Sequence, residues 1–183
     1  DAVISGAALR EAGPLVDPFI FRPRSRTTGE RRLRLAACLP DPAERGPETA
    51  AAVAALREVV GCRGDDVEVI IFGIDDGDPL LRAPSAAFPW RRTPTLPLRR
   101  RAALLGTIDL LVEGRHDEAG AVSAIEAMAS AAAVVATAAL PAGTPAVDAR
   151  NALLTAGARL DDLAANVERL VDDAALLDSL RRQ

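Results

Sequence analysis

The chain alternates between short apolar segments and longer segments in which apolar residues recur at helical spacing. Residues 32–38, R-L-R-L-A-A-C, begin with polar-apolar alternation and become apolar, which is typical of a strand entering a buried parallel sheet. A Pro/Gly-rich turn follows, and residues 49–60 then repeat apolar side chains every three or four positions, which predicts a helix. Residues 67–72, V-E-V-I-I-F, are rich in β-branched side chains and predict a second strand. These segments predict a βαβ unit.

The same alternation continues to the end of the chain. Residues 98–105 predict a short helix, residues 108–112 a buried strand, and a further apolar helix begins near residue 119. We expect additional strands at 95–96, 134–137 and 146–147, and amphipathic helices at 160–170 and 174–180. Alternating strands and helices predict an α/β fold with a Rossmann-like, doubly wound parallel sheet.

Composition limits the classes of function. At 183 residues, with 49% hydrophobic residues and a net charge of −4, the chain has the composition of one globular domain with a real core and no excess of cations for nucleic acid. Cys38 and Cys62 are too few for a disulfide framework or a metal site, which favours a reducing, cytoplasmic location. The sequence shows no signal-peptide pattern and no apolar run long enough for a transmembrane segment, so any membrane contact is expected to be peripheral, at the inner face.

Two carboxylates mark the start of the helix predicted near residue 119. Residues 118–126 read E-A-G-A-V-S-A-I-E, which places Glu118 in a glycine-containing turn and Glu126 within the first two helical turns. In doubly wound sheets, ligands bind at the carboxyl ends of the strands, where helix N-termini present N–H groups to phosphate. The small residues Gly120 and Ala121 allow a pyrophosphate to approach the backbone closely. The turn is therefore suitable for an anionic ligand.

The E-x7-E spacing, followed by A-M-A, resembles the C-terminal nucleotide-sugar-binding domain of GT-B glycosyltransferases, in the retaining, metal-independent group. Other segments resemble that domain in the same order. V-D-P-F-I-F-R-P, at 16–23, resembles its entering linker, and P-A-E-R-G-P-E-T resembles the loop after its first strand. The segment that contains Asp109, R-R-R-A-A-L-L-G-T-I-D-L-L-V, and the tail L-D-D-L-A-A-N-V-E-R-L-V-D-D are also similar to the family.

The resemblance implies a role for each site residue. Glu126 is expected to accept hydrogen bonds from ribose hydroxyls, because a carboxylate is an acceptor only and suits a diol. Glu118 is expected to contact the donor hexose as a catalytic residue. Arg45, next to Gly46, is expected to hold the donor diphosphate and to offset charge on the leaving group as the second catalytic residue. Gly120 and Ala121 complete the implied donor site.

The resemblance also implies the organisation of the protein. Residues 1–30 would be an interdomain linker and residues 31–183 the donor-binding domain of an enzyme that transfers a sugar from a nucleotide diphosphate sugar to an acceptor hydroxyl in glycan or polysaccharide biosynthesis. The acceptor-binding domain would precede Asp1, and this chain would be a fragment that is inactive alone. No cofactor and no metal are implied. The expected partners are the donor, the N-terminal domain and a glycan or lipid-linked acceptor.

Departures from the family pattern favour an alternative. E-A-G-A stands where the family has E-G-F-G, and A-S-A-A-A-V-V replaces its A-C-G-x-P-V-V. A non-catalytic GT-B-like scaffold or interaction domain therefore remains the alternative function. A flavodoxin-like or response-regulator-type domain shares the alternation, but the chain contains no lysine and no acidic cluster of the expected kind after the first strand.

Three further features have simpler interpretations. His116, the single histidine, is a candidate sugar or phosphate contact, although a lone loop histidine is more often just exposed. The acidic run 75–78 lacks the further oxygens of a calcium loop and is interpreted as a solvated turn. The arginine runs 91–92 and 99–101 are interpreted as solvated charge, with an anionic acceptor or lipid phosphate as the functional alternative.

Overall fold

The chain folds into one six-stranded parallel sheet flanked by helices on both faces. The computed structural model describes residues 15–24, 32–137, 140, 144–156 and 159–182. The strands are β1 Leu33–Cys38, β2 Val67–Phe72, β3 Arg91–Thr93, β4 Leu110–Glu113, β5 Ala133–Thr137 and β6 Leu153–Thr155. The helices are α1 Pro47–Arg63, α2 Leu98–Leu105, α3 Glu118–Ala129, α4 Leu160–Asp172 and α5 Ala174–Arg181. The predicted α/β, Rossmann-like, doubly wound sheet is confirmed.

The sheet separates two hydrophobic cores, because successive strand residues point to opposite faces. On β1, Leu35 and Ala37 belong to the core beneath α1, α4 and α5, whereas Ala36 belongs to the core beneath α2 and α3. Both faces of the sheet are therefore covered, as a parallel sheet of nearly continuous apolar strands requires.

The strand order is β3-β2-β1-β4-β5-β6, and the observed pairs are all parallel. The chain moves outward from β1 to β3 and then returns to pair β4 with the other side of β1, where Leu35 lies opposite Leu110. The order thus reverses between β1 and β4. In this type of sheet, the crevice outside the carboxyl ends of the two strands at the reversal is the usual ligand position.

Two predicted strands were misplaced. The strand expected at 95–96 forms at Arg91–Thr93, because pairing with Ile70, Ile71 and Phe72 of β2 determines its position despite two exposed arginines. The strand expected at 146–147 does not form. Leu153–Thr155 occupies the sheet edge beside β5 instead, and Asn151 holds the preceding turn by accepting a hydrogen bond from the Val147 N–H at 2.7 Å.

The segment at 15–24 packs against the domain that follows it. The Asp17 carbonyl accepts hydrogen bonds from the N–H groups of Ile20 and Phe21, and the Phe21 side chain is buried in the core beneath α2 and α3. The other parts of the predicted 1–30 linker, at 1–14 and 25–30, lie outside the described residues. Within the described residues, no helix is both long and apolar enough to cross a membrane.

Candidate functional site

The N-terminus of α3 lies at the carboxyl edge of the sheet, because only residues 114–117 separate it from the end of β4. Asp117 caps the helix: its carboxylate accepts the Gly120 N–H at 2.7 Å, and its carbonyl accepts the Ala121 N–H at 3.0 Å. A Cβ at Gly120 would lie 2.8 Å from the Arg115 carbonyl oxygen, so this position requires glycine for close packing. The predicted helix start is therefore correct. The Asp117 carboxylate already occupies part of the position at the helix N-terminus where an anion would bind.

The two carboxylates of the E-x7-E segment lie in different surroundings. Glu118 is the first residue of α3 and is exposed. Glu126 lies two turns further and is 3% exposed, with Oε1 accepting a 2.5 Å hydrogen bond from Nη2 of Arg101 on α2. Burial raises the pKa of Glu126, while the positive charges of Arg101 and Arg115 oppose that shift. Glu126 is thus a buried carboxylate held by a specific cation.

A second buried ion pair joins β4 to α3. Glu113 ends β4, is fully buried, and accepts hydrogen bonds from the backbone N–H and Nε of Arg115 at 2.9 and 3.1 Å. Nη2 of Arg115 donates to Ser123 Oγ at 2.8 Å, which ties the loop to the first turns of α3. Neither Glu113 nor Arg115 was among the residues predicted for the site. The sequence does contain a signal for Glu113, which directly follows the apolar strand residues 110–112. A glutamate at such a buried position is expected to be paired with a cation.

Arg45 lies in the loop after β1, as the resemblance implied, but its donors contact the chain itself. Nη1 and Nη2 donate to the two carboxylate oxygens of Asp78 at 2.6 and 2.5 Å, and Nε donates to the Pro40 carbonyl at 3.0 Å. The Asp78 side chain is 3% exposed, and the hydrogen bonds from Arg45 are the main cause of its lowered pKa. The neighbouring Gly46 is the N-cap of α1 in extended backbone conformation.

The acidic run at 75–78 is only partly solvated. Asp76 pairs with Arg92 at 2.6 Å and is largely exposed, whereas Asp78 is buried under Arg45. A pocket of about 490 Å³ lies against this run, at the carboxyl ends of β1 and β2. Among the described residues, no group of three or more His, Cys, Asp or Glu side chains is placed to hold a metal ion.

A second cavity and the single histidine take no part in the ion pairs described above. A groove of about 820 Å³ runs along the amino-terminal half of β2, lined by Arg57, Phe88 and Trp90, and is remote from the carboxyl edge. The His116 side chain is 58% exposed, with Nδ1 3.9 Å from Glu48 Oε1, as a solvated loop residue would be.

Comparisons with known proteins reveal similarity at the level of structure. No protein-family profile matches the sequence, and no curated protein sequence matches it. The C-terminal domain of the glycosyl transferase group 1 family protein LpcC from Francisella tularensis aligns with a TM-score of 0.73 and 17% identity, over 92% of this chain and 93% of that one.

Two longer proteins contain a region of the same fold. Sucrose-phosphate synthase from Thermosynechococcus elongatus aligns with a TM-score of 0.70 and 15% identity, over 93% of this chain and 45% of that one. Anabaena HepE, solved in complex with UDP and glucose, aligns with a TM-score of 0.67 and 15% identity, over 91% of this chain and 48% of that one. This chain therefore spans less than half of either protein. Its fold is that of the C-terminal domain of GT-B glycosyltransferases.

Proposed function

We propose that this chain is the nucleotide-sugar-binding domain of a GT-B glycosyltransferase, which transfers a sugar from a nucleotide diphosphate sugar to an acceptor hydroxyl in glycan or polysaccharide biosynthesis. The observation that carries the proposal is the position of Glu118 and Glu126 on α3, which follows β4 at the carboxyl edge where the strand order reverses. The shared fold supports it, since proteins named as glycosyltransferases carry the same domain.

In this proposal, Glu126 binds the nucleoside. Its Oε1 is taken by Arg101, and no described residue donates a hydrogen bond to Oε2. Oε2 belongs to a side chain that is only 4% exposed, and a carboxylate oxygen of this kind is a strong acceptor for a ribose hydroxyl. Glu118, exposed at the mouth of the helix, is assigned to the donor sugar and to catalysis.

The diphosphate is assigned to the start of α3, where the helix dipole favours an anion. Arg45 and Gly46 contribute from the loop after β1, with Arg45 fixed in orientation by its two hydrogen bonds to Asp78. The Asp78 carboxylate partly neutralises the positive charge of Arg45. We therefore expect Arg45 to contribute less to the free energy of diphosphate binding than an unpaired arginine would. No metal or other cofactor is part of the proposed chemistry.

Transfer itself requires an acceptor-binding domain, which the resemblance places on the other side of the crevice. We therefore expect this chain alone to bind the donor weakly and to transfer no sugar. Retention of anomeric configuration and a hexosyl donor belong to the proposal through the E-x7-E spacing.

A specific observation favours the alternative of a non-catalytic scaffold. The ion pairs Arg45–Asp78 and Arg101–Glu126 and the Asp117 cap leave the crevice with its charges largely matched internally. In this alternative the crevice binds no donor, and the chain's own side chains balance its charges.

Titration calorimetry with UDP, GDP, ADP and dTDP separates the two functions. The donor-binding proposal predicts that one nucleotide binds and that Glu126→Gln weakens it roughly tenfold. Glu58→Gln, an exposed helical glutamate on α1, is the matched control and is expected to bind normally. If none of the four nucleotides binds the unchanged chain, donor binding by this chain is contradicted and the scaffold function is favoured.

A further inference from the structure

Three arginines lie near the N-terminus of α2, where the helix dipole disfavours cations. Arg99 and Arg100 are exposed, but Arg101 turns toward α3 and its side chain is only 33% exposed. Arg101 is therefore the member of the run whose position needs a structural explanation, and the interpretation of 99–101 as solvated charge does not fit it.

The Arg101 side chain contributes little to the stability of the fold. Its Nη2 bonds to Glu126, but its Nε is buried without a hydrogen-bond partner among the described residues. A buried donor without a partner lowers stability, which offsets much of the gain from the ion pair. Replacing a buried pair by apolar side chains is often neutral or stabilising, so stability alone does not account for this one.

The charged groups that face Glu126 come from two elements. Arg101 reaches it from α2, and Arg115 contributes positive charge from the loop before α3. The guanidinium of Arg115 is already bonded to Glu113 and to Ser123 Oγ. Arg101 is thus the group that fixes the orientation of the Glu126 carboxylate.

We infer that Arg101 is a positioning residue of the nucleotide site: it holds Oε1 of Glu126, so that Oε2 is presented to a ribose hydroxyl of a nucleoside diphosphate. This inference rests on the proposed function, because it requires Glu126 to contact ribose. It adds the residue that sets the geometry and the ionisation of that contact, and it places this residue on a separate helix.

The test compares each of UDP, GDP and ADP with its 2′,3′-dideoxy counterpart, by calorimetry on the full 183-residue chain. For the nucleotide that binds best, Arg101→Gln is expected to weaken the ribonucleotide roughly tenfold and to leave the dideoxy form unchanged. Arg101→Lys keeps the charge with a shorter reach and is expected to recover part of the loss, whereas Arg100→Gln, the exposed neighbour, has no effect.

A pH series supplies a second readout. Loss of Arg101 removes a charge that favours ionised Glu126, so the fall in ribonucleotide affinity on acidification is expected to begin at higher pH in Arg101→Gln than in the unchanged chain. If Arg101 does not act on the ribose contact through Glu126, the profile stays in place. Thermal unfolding of each variant establishes that the folded domain is being compared, and Arg101→Lys carries the test if Arg101→Gln does not fold.

The outcomes separate this inference from the proposed function. If Glu126→Gln weakens only the ribonucleotide while Arg101→Gln weakens both forms equally or neither, the donor site is correct and the role of Arg101 is wrong. If no nucleoside diphosphate binds the unchanged chain, both are wrong. Selective loss in both variants, with Arg100→Gln unaffected, supports both.

Discussion

Arg181, at the end of α5, reaches the sheet and contacts Asp109, the residue before β4, with Nη1 3.3 Å from Oδ1. The Asp109 side chain is fully buried, and its Oδ2 accepts the backbone N–H of Arg34 on β1 at 2.8 Å. Nε of Arg181 donates to the Ala131 carbonyl at 2.9 Å. One carboxylate therefore joins two strands and α5, which gives the aspartate of the family-like segment a structural role.

Replacing Asp109 tests this role. Asp109→Ala is expected to lower the free energy of unfolding by about 3 kcal/mol, because it leaves the Arg34 N–H and the Arg181 guanidinium without their buried acceptor. Urea unfolding measures the change. Asp178→Ala is the control: Asp178 also lies near Arg181, at 3.7 Å, but is 57% exposed, so the loss should stay within about 0.5 kcal/mol. Equal losses in the two variants would contradict the assignment.

Gly73 determines how closely β2 passes the end of β1. Its φ is +85°, and a Cβ would lie 2.2 Å from the Leu39 carbonyl oxygen. Gly77 has a similar φ of +90° with open space around it. We expect Gly77→Ala to cost about 1 kcal/mol of unfolding free energy from backbone strain, and Gly73→Ala about 3 kcal/mol because steric overlap is added. Thermal unfolding of the pair separates the two effects, and equal costs would show that the close approach is unimportant.

Cys38 is expected to make the protein less stable in alkali. Burial, helped by the charge of Glu113, raises the pKa of its thiol from 9.0 to about 11. As the pH rises from 9 to 11, the unfolded chain loses this proton first, so the unfolding free energy falls by about 2 to 3 kcal/mol and then levels off.

The composition makes this measurement unusually clear, because the sequence contains no lysine and no tyrosine to titrate in the same range. Urea unfolding at several pH values should show the fall in Cys62→Ser and its absence in Cys38→Ser. If the unfolding free energy still falls in Cys38→Ser, another group is responsible for the fall.

The Asp117 cap is expected to oppose a bound diphosphate. Asp117→Asn retains an acceptor for the Gly120 N–H but removes the negative charge, so nucleoside diphosphate affinity should rise roughly fivefold. Asp173→Asn is the matched control, since Asp173 caps α5 in the same way on the opposite face of the sheet and accepts the Leu176 N–H at 2.9 Å. Both variants should lose similar, small amounts of stability. Calorimetric titration with a nucleoside diphosphate measures the affinities. Equal affinity in the two variants would contradict the placement of the diphosphate at the start of α3.

The sequence predicts the fold well where a segment's own pattern decides its structure. The apolar β-branched run of β2 and the start of α3 form as expected. The positions of β3 and β6 are not predicted from the sequence. Each strand is three residues long, and hydrogen bonding to a neighbouring strand, not local preference, determines where it forms.

The candidate site is only partly visible in the sequence for a related reason. The spacing of Glu118 and Glu126 is local and can be seen directly. Their partners are not, since Arg101 lies 25 residues from Glu126 and Asp78 lies 33 from Arg45. Ion pairs of this kind follow from how helices and loops meet at the sheet edge, which a single sequence does not specify.

Pairing each of Arg45, Arg101 and Arg115 with its own carboxylate also determines how the crevice would respond to ionic strength. A surface whose cations are already balanced produces little long-range field, so it neither attracts anions from a distance nor loses much affinity as salt screens the solution. Recognition at such a surface depends on contact geometry. Nucleotide affinity should therefore be nearly constant from dilute buffer to physiological salt.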